Sequence, residues 1–286
     1  MLRDRYIYVN GEWVDAAGAK VSVEDRGYQF ADGIYEVVRV YRGRPFALEA
    51  HLQRLARSAA QLELDLPLEA SAIGGLIREA PERRGVREAQ VYVQVTRGFA
   101  PRVHHFPGEA TPSLVVYASP VRLQPPELYE GGATVIVVPD ERWLRCDIKT
   151  INLLPNALAK EKARRAGALE ALLYREGVGV TEGSSSNLFI VRHGRIETAP
   201  ASRWILRGVT RDVVLELAQQ ADIPVAERFF SPEDVLRADE VFITSTTMEV
   251  MPVTRVDGHT IGAGRPGPVT TALMAAFKAR VDAELS

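Results

Sequence analysis

A single cysteine, Cys146, stands in the 286 residues of this chain. That excludes an intrachain disulfide and a cysteine-built zinc cluster. The five histidines are scattered, so no metal centre is expected. No uninterrupted apolar run approaches the roughly 20 residues of a membrane-spanning helix. The opening Met1-Leu2-Arg3-Asp4-Arg5 lacks the apolar core of a secretory signal. Neither sign of charge is in excess. The 35 basic and 37 acidic side chains leave a net charge of −2 and a pI near 6.3, which gives no electrostatic basis for nucleic acid or an anionic membrane as partner. The G-x-S-x-G elbow, the Walker loop and the Rossmann fingerprint are all missing. Lysine is scarce too: only Lys20, Lys149, Lys160, Lys162 and Lys278 occur, so a lysine in an unusual setting is more informative than it would normally be. These absences lead to the expectation of a soluble, cytoplasmic globular protein.

What is present has ordinary proportions, 46% hydrophobic and 25% charged. A chain of this length buries roughly three quarters of its unfolded surface and tends to divide into two domains. Tyr6-Ile7-Tyr8-Val9, Asn10-Gly11 and Glu12-Trp13-Val14 read as a hairpin. Ile34 to Tyr41 reads as a strand, Leu48 to Leu62 and Glu69 to Glu82 as helices, and Ala89 to Arg97 and Ser113 to Ala118 as strands. Prolines and glycines between Pro120 and Gly132 mark a linker. Beyond it come strands at 133–138, 168–174, 186–191, 225–230 and 240–244, with helices at 156–166 and 210–221. Ser231-Pro232-Glu233-Asp234 is a capped helix start, Asp257-Gly258 is a hairpin turn, and a terminal helix begins near Pro268. The mixture is α+β: a smaller N-terminal domain over 1–119, a linker over 120–132 and a larger C-terminal domain over 133–286.

Five places could carry chemistry. Lys149 lies in the apolar run Ile148-Lys149-Thr150-Ile151, where desolvation would free an amine to attack a carbonyl; the same residue also reads as a lysine snorkelling from a strand end. Thr181-Glu182-Gly183-Ser184-Ser185-Ser186-Asn187 is either a polar ligand loop or a solvated turn. Gly208-Val209-Thr210 opens a helix, as a phosphate cup or a simple cap. Thr244-Ser245-Thr246-Thr247 ends a strand in hydroxyls, to hold phosphate or to turn. Arg102-Val103-His104 places a guanidinium and an imidazole two residues apart, to converge on a carboxylate or to decorate a loop.

The order of these features resembles one family. D-R-G-Y-Q-F-A-D-G-I-Y-E-V-V (Asp25–Val38), Arg54, P-R-V-H (Pro101–His104), R-W-L-R-C-D-I-K (Arg142–Lys149), T-E-G-S-S-S-N (Thr181–Asn187), G-V-T-R-D-V-V (Gly208–Val214) and T-S-T-T (Thr244–Thr247) together resemble the fold-type IV pyridoxal phosphate aminotransferases, and within them the D-amino-acid (D-alanine) aminotransferases. The likeness spans nearly the whole chain. It implies a smaller α/β domain, a larger domain with a mixed-strand barrel-like core, and pyridoxal 5'-phosphate as cofactor. The implied reaction is ping-pong transamination between D-amino acids of the D-alanine and D-glutamate type and 2-oxo acids such as 2-oxoglutarate and pyruvate.

The resemblance also implies roles. Lys149 is the Schiff-base lysine and proton carrier, and Glu182 faces the pyridine nitrogen. Arg54, the Val209 and Thr210 N–H groups, Ser245 and Thr246 serve the phosphate; Ser185 and Ser186 orient that region and Leu206 packs on the ring. Tyr35, Arg102, His104 and Thr247 bind substrate, with Arg102 and His104 reaching in from the second subunit of a homodimer with shared active sites. Three readings compete. An aminodeoxychorismate lyase would not need the Arg102/His104 pair, and a branched-chain L-aminotransferase or (R)-amine transaminase fits that pair and the Ser184–Ser186 run less well. A cofactor carrier without turnover would not need the full set of catalytic groups. Departures from the family pattern are His105 in place of glutamine, Met248 in place of serine and Pro155 in place of glycine.

Overall fold

Asn10 and Gly11, both at positive φ (48° and 111°), turn β1 (Tyr6–Val9) into β2 (Glu12–Asp15), as an Asn-Gly pair between short apolar runs predicts. In a computed structural model, residues 6–285 are described; the Met1–Arg5 stretch, read above for the absence of a secretory signal, lies outside them. The chain forms two units. The first holds the chain up to Arg122, with Ile148–Asn152 and Leu285; the second holds Leu123–Asp147 and Leu153–Glu284. Lys149, read by sequence as part of the C-terminal domain, therefore sits on a short segment that packs with the first unit.

The first unit continues through α1 (Arg26–Phe30), β3 (Gly33–Tyr41), β4 (Arg44–Pro45), α2 (Leu48–Gln61), α3 (Ala70–Arg84), β5 (Ala89–Phe99) and β6 (Thr111–Pro120). Its six-stranded antiparallel sheet runs β2-β1-β6-β5-β3-β4. Alternate residues of β3 (Ile34, Val38, Val40) and of β5 (Val91, Val93, Val95) pack against Leu52, Leu55 and Ala59 of α2 and Ile73 and Ile77 of α3. Glu36 lies on that same apolar face, because side chains alternate along a strand. The segment Ile148–Asn152 docks beside the start of β3, with Ile34 bridged to Thr150 and Ile148 in the core.

The second unit comprises α4 (Pro126–Gly131), β7 (Ala133–Pro139), α5 (Leu154–Arg165), β8 (Glu170–Arg175), β9 (Gly179–Gly183), β10 (Asn187–Arg192), β11 (Arg195–Thr198), α6 (Val209–Gln220), β12 (Val225–Glu227), α7 (Pro232–Leu236), β13 (Glu240–Ser245), β14 (Glu249–Val256), β15 (His259–Thr260) and α8 (Pro268–Glu284). Its sheet is mixed, in the order β12-β11-β10-β13-β14-β7-β8-β9, with β15 on β14; the β11/β12, β14/β7 and β7/β8 pairs are parallel. Strands β10 and β9 are five positions apart in that order, about 24 Å if the sheet were flat. Only Ser184–Ser186 connect them, and four Cα steps reach no further than about 15 Å. The sheet must curl, and Val180 of β9 bridges to Phe230 just beyond β12 through an N–H···O of 2.9 Å. This is the expected mixed-strand, barrel-like core.

Some elements differ from the sequence reading. Thr181-Glu182-Gly183, read within a loop, belongs to β9. Strand β14 was not foreseen; Pro252 in its middle argues against a strand by propensity, yet it pairs across to Phe242 of β13. The 120–132 stretch carries the end of β6 and the helix α4. Among the described residues, no helix is long and apolar enough to cross a membrane, and no group of three or more His, Cys, Asp or Glu is placed to hold a metal.

Candidate active site

In the first unit the backbone of Lys149 is fixed on both sides. Its carbonyl accepts from Tyr35 N–H (3.0 Å), its N–H donates to Ser58 Oγ of α2 (3.2 Å), and Ile151 N–H donates to Gly33 C=O (3.1 Å). A Cβ on Gly33 would meet the Val95 carbonyl at 2.7 Å, so the close packing here needs glycine. The half-buried Lys149 side chain ends with Nζ 4.2 Å from the Tyr35 ring centroid, a cation–π contact. Tyr35 in turn stacks on Tyr92 at 5.7 Å.

Behind this face, Glu36 takes two hydrogen bonds from Arg54, Nε at 2.7 Å and Nη2 at 2.9 Å, and one from His51 Nδ1 at 2.8 Å. The fork orients the Arg54 guanidinium. Sequence reading singled out Arg54 but missed Glu36 and His51, since only the β3/α2 packing brings them together. Burial alone would raise the Glu36 carboxyl, but Arg54 and His51 hold it well below the usual carboxylate range. Burial pushes the His51 imidazole below its ordinary 6.5, against the pull of Glu36. Both shifts have the same sign for stability: a depressed folded-state pKa contributes above the unfolded value and is lost as pH falls. Thermal unfolding is therefore expected to become easier below pH 6.5 as His51 is drawn to protonate, and again below 4.5 as Glu36 is. The upper step should vanish from the Tm–pH curve of His51→Gln; an unaltered upper step would contradict this account.

Arg102, Val103 and His104 are exposed on the β5–β6 loop. The two candidate substrate groups do converge, on the Phe30 ring: the Arg102 Cζ lies 4.9 Å from its centroid and the His104 ring 5.6 Å. His105 beside them is exposed.

In the second unit Glu182 is buried on β9 and accepts hydrogen bonds from three donors. Leu206 N–H donates to both of its oxygens at 3.1 Å, Asn187 Nδ2 donates to Oε2 at 3.1 Å, and Arg142 Nη1 donates to Oε1. Arg142 also grips Asp140 through Nε (2.9 Å) and Nη2 (3.0 Å), and Arg175 reaches Asp140 at 3.2 Å. Burial pushes the Glu182 carboxyl above its ordinary value while Arg142 and Leu206 N–H pull it down. Burial opposes the Arg142 charge, but Glu182 and Asp140 raise its pKa and keep it cationic. The nearby Cys146 thiol is pushed up to about 11, chiefly by burial, which leaves it unreactive. A rigid, buried carboxylate of this kind suits a partner that itself carries a proton.

The serine run gathers on one carboxylate. Ser184 Oγ, Ser185 Oγ (3.0 Å) and Ser186 Oγ (3.1 Å) all donate to Glu170 on β8, a carboxylate that sequence reading missed. Their hydroxyls clamp the β9–β10 turn. At α6, Gly208 is the N-cap and no side chain caps the helix, so its first N–H groups, including those of Val209 and Thr210, remain for an anion. A Cβ on Gly208 would lie 2.1 Å from Asn187 Oδ1, and that amide is already pinned to Glu182 and to the Leu206 carbonyl. At the end of β13, Thr244 Oγ1 is buried without a partner, and Ser245 Oγ accepts from Met248 N–H at 3.1 Å. The Thr246 and Thr247 hydroxyls take no partner among the described residues. Met248 is buried in the core of this unit, which accounts for an apolar residue there, and Pro155 occupies the first turn of α5, where proline is pre-organised for a helix start.

Comparison with known proteins adds the family. A family model described as amino-transferase class IV matches residues 33–256. The chain belongs to the class IV aminotransferases. A D-alanine aminotransferase of Bacillus licheniformis is 43% identical to this class IV aminotransferase over 272 residues, 95% of each chain. The branched-chain amino acid aminotransferase of Escherichia coli matches it with a TM-score of 0.91 at 29% identity, over 96% of this chain and 93% of that one. A T.th. branched-chain amino acid aminotransferase with pyridoxamine 5'-phosphate matches with a TM-score of 0.88 at 30% identity, over 99% and 95%.

Proposed function

We propose that this class IV aminotransferase moves the amino group between D-amino acids of the D-alanine and D-glutamate type and 2-oxo acids such as 2-oxoglutarate and pyruvate, in two half-reactions with pyridoxal 5'-phosphate, in the cytoplasm. The observation that carries the substrate class is the near full-length 43% identity to a D-alanine aminotransferase. The cofactor is supported by the pyridoxamine phosphate in the T.th. relative and by the donors here: an uncapped α6 N-terminus, an orphaned Thr244 hydroxyl and the rigid Glu182. When bound, pyridoxal phosphate supplies an electron sink for charge that develops at the substrate Cα.

The residues have separate tasks. Lys149 carries the proton to and from Cα. Glu182, paired with Arg142, would keep a proton on the pyridine nitrogen, and Leu206 would cover the ring. Arg54, the Val209 and Thr210 N–H groups, Ser245 and Thr246 hold the phosphate. Ser185 and Ser186 act through the Glu170 clamp, which fixes the turn after Glu182. Tyr35, Arg102, His104 and Thr247 bind substrate, the first three around its carboxylate, so that only one enantiomer presents Cα–H to Lys149.

Arg102→Ala is expected to lose D-alanine turnover about ten- to a hundredfold more than turnover of a simple (R)-amine, since a charge-assisted hydrogen bond contributes about 1.5–3 kcal/mol. Equal losses would contradict the carboxylate role. The homodimer with shared sites has its own test. Mixing inactive Lys149→Ala with impaired Arg102→Ala subunits leaves each mixed dimer one intact site, if Arg102 serves the neighbouring subunit. About a quarter of wild-type activity should return on random re-association; no recovery would place Arg102 in its own subunit's site.

A further inference from the structure

The Arg102–His104 loop is exposed, yet it is held at two points by buried arginines that share one carboxylate. Asp32, just after α1, accepts from Arg26 Nε at 2.7 Å and from Arg97 Nε at 2.8 Å. Arg26, only 3% exposed at its side chain, donates Nη1 to the Val103 carbonyl at 2.6 Å, in the middle of the R-x-H triplet. Its guanidinium also lies 4.8 Å from the Phe30 centroid, the ring that Arg102 and His104 flank. Arg97 donates to the Leu62 and Glu63 carbonyls at 2.7 and 2.8 Å, which tie it to the end of α2, and its Cζ lies 3.7 Å from the Phe106 centroid. One carboxylate thus aims one arginine at the centre of the loop and another at its far end.

A loop this exposed would ordinarily sample many conformations, and a carboxylate trap needs its donors placed to within about half an ångström. We infer that Asp32 and Arg26, with Arg97 as the second arm, are positioning residues that set the Arg102–His104 pair for the substrate carboxylate. The inference rests on the substrate reading above. Arg26 touches no substrate; its fork bridges a side chain and a main-chain carbonyl at once, which a lysine ammonium does not reproduce.

The test uses the loaded enzyme and the single-turnover half-reaction with D-alanine. Arg26→Lys and Asp32→Asn should each raise the half-saturating D-alanine concentration about tenfold or more, with a much smaller change in the limiting rate. Hydrogen–deuterium exchange of the 101–107 segment should quicken in both, while the dissociation constant for pyridoxal phosphate stays near the wild-type value. Arg102→Ala is run alongside. If it raises half-saturation and the two variants do not, the positioning role fails while the carboxylate trap stands; if Arg102→Ala itself has no effect, the trap reading fails. A fall in limiting rate, cofactor affinity and Tm together, without a selective rise in half-saturation, would reduce Arg26 and Asp32 to general fold stability and overturn the inference.

Discussion

Lys149→Ala is expected to lower the rate of the D-alanine half-reaction by at least about 10²–10⁴, the usual contribution of a positioned acid–base group, while the protein stays folded. The geometry separates these effects. The Lys149 backbone is held by Tyr35 N–H and Ser58 Oγ, bonds that alanine retains. The side chain ends over the Tyr35 ring with no carboxylate partner among the described residues of its unit, so its removal leaves no buried charge unpaired there. Lys149→Arg sharpens the test. Arginine keeps the charge and the contact with Tyr35 but does not release a proton in proteins, so it should be about as slow as alanine. Near-normal rates in Lys149→Arg would mean that charge alone matters at this position.

The largest expected effect on stability comes from Arg142. Its guanidinium bridges two buried carboxylates, Glu182 and Asp140, 40 and two residues away in sequence. Arg142→Met leaves Glu182 buried with only Leu206 N–H and Asn187 as donors. Breaking such a pair from one side costs about 3–5 kcal/mol, or roughly 6–20 °C in Tm for a chain of this size. The Glu182 carboxyl, already pushed upward by burial, should then be pushed further upward, since the lowering influence of Arg142 is gone. The double variant Arg142→Met/Glu182→Gln removes the unpaired charge and should recover part of the loss, as coupled neighbours do; a double variant no better than the single one would show that the pair is not coupled.

How much was legible in the sequence differs by kind of information. Local signals located the elements well where they were strong: Asn10-Gly11 for the first hairpin, the Leu52/Leu55/Ala59 spacing for α2, and Ser231-Pro232 for the start of α7, where Ser231 and Asp234 form a reciprocal cap. They failed where local chemistry contradicts the final state. Gly179–Gly183 has glycine at both ends and a polar centre, yet it is a strand because β8 supplies the ladder. Pro252 conceals β14 for a similar reason. The candidate site residues stood out as motifs, through the family's order, but their partners did not. Arg142 with Glu182, Glu170 with three serines, and Asp32 with Arg97 are separated by 40, 14–16 and 65 residues, so only the folded sheets bring them together. The serines show the consequence: named for the cofactor region, they donate their hydroxyls to Glu170, a partner that no local motif displays.

The most direct test of the central claim is a single-turnover absorbance measurement on the purified, pyridoxal phosphate-loaded protein without any oxo acid. D-alanine, L-alanine and a chiral (R)-amine are mixed with it in separate runs. The account predicts that the visible band of the lysine-bound cofactor disappears with D-alanine alone. Loss of that band with L-alanine or the (R)-amine while D-alanine leaves it unchanged would contradict the proposed substrate class and the role of Arg102 and His104 with it.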